Sequence, residues 1–214
     1  MRKIYAIPGL GTDERLYRFI HVANTELVVL QWPEPPDNIS LEEYARLFIP
    51  QINQQEPYYL LGVSFGGMIC SELSKILHPQ KTILISSSKC RSELPRFLRF
   101  FSHVAIHRLI PESEHRRMAR MGRWFLGFQK NYMHEFMSMI HKMPPNYFRN
   151  CIDCIVKWKS TDYNKNIVHI HGDADRLLLY KCVKANYTIK GGTHAMVINR
   201  AMEINHILEK ELNG

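Results

Sequence analysis

Ser64 stands in "LLGVSFGG" (residues 60–67), with Gly62 and Gly66 two positions to either side and an apolar run directly before it. A serine in such a place can fill a turn, cap a helix, cradle a phosphate or act as a nucleophile. The G-x-S-x-G spacing suits a nucleophile presented on a sharp, strained strand-to-helix turn, where side chains two residues away would collide. Phosphate cradling would want G-x-G-x-x-G or a G-K-[ST] ending, and the one lysine near Ser64 is Lys75, a full helical stretch away. A hydroxyl becomes a useful nucleophile only when an imidazole takes its proton and a carboxylate fixes that imidazole's tautomer. Of the 11 histidines, His194 in "IKGGTHAMV" sits in a Gly-rich loop between an apolar run and an amphipathic segment. Asp175 in "HIHGDADRLL" follows the preceding apolar run, and Asp173, two residues nearer that run, is its rival; either could also be a turn-forming aspartate. The order along the chain is Ser, Asp, His, and the chemistry such a set supports is acyl transfer through a serine ester.

These groups must be delivered by a scaffold. Short apolar runs bounded by Gly, Pro or polar clusters recur at 3–9, 26–32, 58–62, 81–87, 166–172 and 185–192, and predict buried strands. Helical spacing alternates with them: 41–53 behind the capping candidate Ser40, a segment from Met68 to Leu77, and 196–211. Strand and helix in alternation predict a mostly parallel α/β sheet of about six strands with helices on both faces, whose chemistry belongs at the carboxyl ends of the strands. Ser64, Asp175 and His194 all fall there.

Residues 89–160 break the alternation. They contain no good strand, are rich in aromatics and methionines, and read as several helices inserted between two strands. They hold 14 Lys and Arg against 5 Asp and Glu, a formal +9, while the rest of the chain holds 14 against 15; the net charge of +8 therefore resides in the insertion. The densest run is "EHRRMARMGRWF", with Arg116, Arg117, Arg120 and Arg123. A solvated face accounts for such a run, and with no groove-reading helix or known binding module apparent, nucleic acid is not expected as a partner.

The order and loop positions of these motifs resemble the α/β-hydrolase family over nearly the whole chain: "IPGLGTDERLY" after the first strand, the elbow "GVSFGG", the acid loop "HGDAD" and the histidine loop "GGTHAMV". The resemblance implies a minimal α/β-hydrolase fold of one domain, with a core of 1–88 and 161–214 and a helical lid of 89–160. It implies Ser64 as nucleophile, Asp175 as acid and His194 as base, with oxyanion-hole donors at the backbone N–H groups of Leu10 and Phe65. Pro8 stands where many members carry a histidine beside the glycine, which a hole built from backbone N–H groups tolerates. The implied activity is cleavage of a carboxylic ester through an acyl-serine, with no metal or organic cofactor. A thioesterase acting on acyl-CoA or acyl-carrier thioesters is the alternative, and a non-hydrolytic binding protein on the same fold is a third reading. The lid's Met, Phe and Trp side chains would line an acyl pocket, and its arginines would receive an anionic head group or membrane surface.

The 214 residues suffice for one substantial domain, and 45% hydrophobic against 22% charged residues is an ordinary globular balance. The first apolar stretch stops at Pro8-Gly9, too short for a signal-peptide core, and no apolar run reaches about 18 residues. With five cysteines in no framework spacing, the expectation is a cytoplasmic protein with reduced thiols. Cys151 and Cys154 form one C-x-x-C without a second pair to complete a zinc site, so burial on a helix face is expected of them, and packing or hydrogen bonding of His169 and His171.

Overall fold

The structure is a computed structural model that describes residues 1–104 and 123–213. Six strands, β1 (Arg2–Ile7), β2 (Thr25–Val29), β3 (Tyr58–Val63), β4 (Thr82–Ile85), β5 (Ile167–Gly172) and β6 (Tyr187–Ile189), form one sheet in the order β2-β1-β3-β4-β5-β6. Every neighbouring pair is parallel. The continuous apolar runs of β3 and β4 are buried at every residue, as central strands covered on both faces must be. All six predicted strands are present. The run at 185–192 keeps only three strand residues, because Gly191 turns the chain at a φ of 70°.

Helices α1 (Leu41–Arg46) and α2 (Phe65–Ile76) follow β2 and β3. A capping box starts α1: the Ser40 hydroxyl accepts from the Glu43 N–H while the Glu43 carboxylate accepts from the Ser40 N–H. The helix expected to reach residue 53 stops at Arg46, and Pro50, which has no N–H to donate, sits instead in a 3-10 turn at Ile49–Gln51. Phe48 and Ile52 are buried nonetheless, so the apolar face survives the change of helix type. The final helical pattern likewise divides at Arg200 into two helices, Met196–Asn199 and Ala201–Asn213.

Between β4 and β5 the described part of the insertion holds α3 (Arg96–Val104), α4 (Arg123–Leu126), α5 (Lys130–His141) and α6 (Tyr147–Lys157); the two C-terminal helices are α7 (Met196–Asn199) and α8 (Ala201–Asn213). The insertion leaves and rejoins the sheet at one neck. There the Arg91 N–H donates to the Ser160 carbonyl (2.9 Å), and the Arg91 guanidinium donates to the carbonyls of Val156 and Trp158 (3.0 and 2.6 Å). Trp158 is fully buried and its indole N–H donates to Glu72 on α2 at 2.7 Å. Arg116, Arg117 and Arg120 of the basic run lie outside the described residues. Among the described residues no helix is long and apolar enough to cross a membrane.

Cys151 and Cys154 lie buried on α6. Burial pushes the Cys154 thiol up to about 12 and Cys151 well above its ordinary value, so neither supplies thiolate near neutrality. Cys70 and Cys90 are buried as well, whereas Cys182 is half-exposed. Under native conditions at pH 8 an aromatic disulfide reagent is therefore expected to titrate one thiol quickly, and peptide mapping should place it at Cys182. Fast labelling of Cys151 or Cys154 would contradict the packing of α6.

Candidate active site

The turn from β3 into α2 puts Ser64 at φ 54°, ψ −120°, a left-handed backbone conformation rare for a residue with a side chain. The glycines around it are sterically required. A Cβ on Gly62 would lie 2.5 Å from the Gly66 carbonyl oxygen, and one on Gly66 would lie 2.2 and 2.3 Å from the carbonyl oxygens of Ile7 and Pro8. Gly62 is thus needed by the turn itself, and Gly66 by the loop that crosses it after β1. Strand β4 braces the turn from the other side: the Ser64 N–H donates to the Ile85 carbonyl (3.0 Å), and the Ser87 hydroxyl donates to the Ser64 carbonyl (2.6 Å).

Three loops from distant parts of the chain converge on the hydroxyl. His194 Nε2 lies 2.9 Å from Ser64 Oγ, and His194 Nδ1 lies 2.8 Å from Asp175 Oδ2. A carboxylate only accepts, so the Nδ1–H donates to Asp175 and leaves Nε2 free to accept the serine proton. The other Asp175 oxygen accepts the N–H groups of Leu177 and Leu178, both at 2.9 Å. Burial alone would push the Asp175 carboxyl up, but the charge and hydrogen bond of His194, with His171 and the Leu178 N–H, hold it below its ordinary value. Asp173 is exposed and takes no part: its Oδ1 accepts the Gly191 N–H at 2.6 Å, bracing the turn after β6.

The loop after β1 passes over the serine, with Gly9 so close that a Cβ there would sit 3.6 Å from the Ser64 Cβ. It is held by a Thr12-to-Gly9 turn (3.0 Å), by the indole N–H of Trp32 donating to the Thr12 carbonyl (2.8 Å), and by the Gly11 N–H reaching the Tyr147 hydroxyl (3.4 Å). Phe65 opens α2, where the first N–H groups have no intrahelical acceptor, and stacks on Trp32 with ring centroids 5.7 Å apart. Leu10 and Phe65 border the same cavity as Ser64 and His194. Nothing in the sequence distinguished Trp32, Tyr147 or Ser87 from ordinary core and turn residues, because their value lies in hydrogen bonds to backbone from remote segments.

That cavity measures about 460 Å³. Its floor is Ser64 and His194, and its walls are apolar: Leu10, Phe65 and Met68 from the core, Leu177 and Leu178 from the acid loop, and Phe128, Phe136, Ile140, Phe148 and Ile152 from the insertion. Among the described residues, Thr12 is the other polar residue of the lining. The insertion contributes phenylalanines as expected, but Trp158 turns to Glu72, and Met139 accepts the Asp13 N–H (3.4 Å). Behind the acid, His169 and His171 are buried and bonded to each other (3.1 Å). Among the described residues no group of three or more His, Cys, Asp or Glu could hold a metal ion.

Two expected outcomes follow from this geometry. Gly66→Ala must push the loop after β1 off the elbow, at a cost of about 1–3 kcal/mol or more, with loss of serine reactivity; a variant with native denaturation midpoint and native fluorophosphonate labelling would refute the close approach. Burial also holds the His169 and His171 rings below their ordinary value, His169 the further. The unfolded chain then takes up protons as pH falls below about 6.5 while the folded chain does not, so stability is complete above that pH and declines below it, by up to roughly 1.4 kcal/mol per pH unit for each ring. Urea denaturation at pH 7.5 and 5.5 should show the loss, and His169→Phe should lessen it.

No family model and no curated relative matches the sequence. Solved structures do match in three dimensions. A hydrolase from Oleispira antarctica superposes with a TM-score of 0.73 at 13% identity, covering 100% of this chain and 92% of its own. A thermophilic esterase from Thermogutta terrifontis gives 0.71 at 9% identity, covering 100% and 90%. ClbQ from the colibactin NRPS/PKS pathway gives 0.64 at 15% identity, covering 99% and 96%. Identities this low speak to architecture, and with the all-parallel sheet and its helical insertion they establish that the chain adopts the α/β-hydrolase fold.

Proposed function

We propose that the protein is a serine hydrolase that cleaves carboxylic esters through an acyl-serine. The observation that carries this reading is the continuous chain from Ser64 Oγ through His194 to Asp175, at 2.9 and 2.8 Å, on the floor of an apolar cavity. In this scheme His194 Nε2 removes the Ser64 proton as the oxygen attacks the acyl carbon. Asp175 holds the Nδ1–H and stabilises the imidazolium that forms. The N–H groups of Leu10 and Phe65 take the negative charge developing on the carbonyl oxygen, the Phe65 donor being strengthened by its place at the start of α2. The imidazolium returns its proton to the departing alcohol, and a water activated by the same nitrogen then releases the acid.

The lining favours an uncharged, apolar acyl group, because a carboxylate or phosphate buried there would find no cation among the described lining residues. Residues 89–160 would serve as the lid, since α5 and α6 supply one wall. A thioester substrate is the second reading, and the +9 charge of the insertion favours it: that charge suits the phosphates of coenzyme A or of a carrier protein held outside the cavity. The same charge suits an anionic head group or membrane surface.

Ser64→Ala and His194→Ala should each lower kcat/KM toward p-nitrophenyl butyrate by roughly 10⁴ or more, and Asp175→Asn by a comparable or smaller factor. Asp173→Asn should have little effect. Fluorophosphonate labelling that persists in Ser64→Ala, with activity retained, would move the nucleophile elsewhere. Comparing the p-nitrophenyl and coenzyme A esters of one acyl chain separates the two substrate readings.

A further inference from the structure

His171 is the buried titratable group nearest the relay that the proposed chemistry leaves unused. It sits at the end of β5, four residues before Asp175, with its ring fully inaccessible. Its Nε2 lies 2.7 Å from the Leu178 carbonyl oxygen. A carbonyl can only accept, so Nε2 carries the proton and Nδ1 of the neutral ring is an acceptor. His169 Nε2, 3.1 Å from that Nδ1, must then be the donor. Burial keeps both rings neutral, and with both neutral these hydrogen bonds set both tautomers. His169 Nδ1 is buried with no partner at hydrogen-bond distance and lies 4.0 Å from Glu93 Oε2.

His171 Nε2 also lies 3.6 Å from Asp175 Oδ2, beyond hydrogen-bond distance, and Oδ2 is the oxygen to which His194 donates. Asp175 holds the Leu178 N–H while His171 holds the Leu178 carbonyl. The ring thus closes the turn from 175 to 178 from behind. That turn places the carboxylate and sets Leu177 and Leu178 into the cavity wall.

Resting on the serine-hydrolase reading, we propose that His171, held as the Nε2–H tautomer by His169 and Leu178, is a positioning residue: it anchors the Leu178 carbonyl, and so the turn that orients Asp175, and the positive end of its N–H dipole, with Nε2 3.6 Å from Oδ2, stabilises the carboxylate charge. The proton stays on His171 throughout, and no bond to it is made or broken in the reaction. The charged and titratable groups around the pair are Asp175 and His194 on one side, Glu93 and Lys89 on the other, and Tyr180, whose ring centroid lies 6.4 Å from that of His171.

The test compares His171→Phe and His171→Gln with the unaltered protein on p-nitrophenyl butyrate. Phenylalanine keeps the shape and removes both hydrogen bonds; glutamine can still donate an N–H to the Leu178 carbonyl. His171→Phe should lower kcat by about 10- to 100-fold with KM changed less than about two-fold, in keeping with a hydrogen bond acting on the transition state. The acidic limb of its kcat/KM profile should move to higher pH, because a carboxylate without the nearby N–H dipole binds the imidazole proton more tightly. His171→Gln should recover most of both effects. A kcat and pH profile unchanged in His171→Phe, with only the melting temperature lowered, would reduce His171 to packing and overturn the proposal. Loss of activity in Ser64→Ala alongside that result would leave the hydrolase reading standing, whereas retention in Ser64→Ala would remove the reading itself. Should the variants fail to fold, ¹⁵N-histidine NMR of the unaltered protein decides: a neutral, ε-protonated His171 at pH 7 to 8 is expected, and a δ-protonated or doubly protonated ring there overturns the assignment.

Discussion

Ser64 is held at a positive φ that would cost an unconstrained residue on the order of 1–3 kcal/mol, and the surrounding backbone is built to keep it there. Three chain segments meet within a few ångströms of the turn: the end of β3 with the start of α2, the end of β1, and the loop after β4. Gly62, Gly66 and Gly67 are the places where those segments leave no room for a methyl group. The strain is sustained by what lies behind it. Helix α2 is buried along most of its length and the central strands on both faces, so relaxing the turn would mean moving the part of the core that is most expensive to disturb.

The cavity depends on a second, softer set of contacts. The loop after β1 meets α5 through Arg15 donating to the Ser138 hydroxyl (2.7 Å), through the Arg18–Glu135 pair, and through Arg18 set between the rings of Phe19 and Tyr132, 4.9 and 5.0 Å from their centroids. Partly exposed ion pairs of this kind contribute little, about 0–1 kcal/mol each. The hold of the insertion on the core rests more on buried apolar surface, Phe136, Met139, Ile140 and Phe148 among it, and on the neck where Arg91 ties its two ends together. An elbow fixed by backbone sterics beneath a roof fixed by side-chain burial lets the wall be altered by substitution without disturbing the turn.

This division explains what could be read from the residues alone. The strands were legible because a parallel sheet covered on both faces needs continuous apolar runs, and the elbow because only glycine tolerates the approaches at 62 and 66. The pairing of His194 with Asp175 over Asp173 had to come from the motif's spacing, since alternate residues beyond a strand end point in different directions and composition does not say which. The helix break at Pro50 was available in the sequence, but the uninterrupted apolar face hid it, because a 3-10 turn can keep Phe48 and Ile52 inward. Trp32 and Tyr147 carried no local signal, and His171 was legible only as a packed or hydrogen-bonded histidine. Each acts on backbone far away in sequence or on a tautomer, and neither is encoded in periodicity.

The dryness of the cavity ties these levels together. An imidazolium at His194 would face Leu, Ile and Phe side chains, which solvate charge poorly, so its stability would fall to the groups fixed around it. Asp175 is the compensating charge, and it is itself almost inaccessible. A buried carboxylate is tolerable only if its lone pairs are met by donors: the turn from 175 to 178 supplies two backbone N–H groups to one oxygen and the loop after β6 supplies the His194 ring to the other, with His171 alongside. Weakening that turn would raise the cost of keeping the carboxylate ionised, and through it the cost of a positive charge on His194. The apolar wall and the polar chain from Ser64 to Asp175 are therefore one constraint: the same Leu177 and Leu178 that line the cavity present their N–H groups to Asp175 behind it.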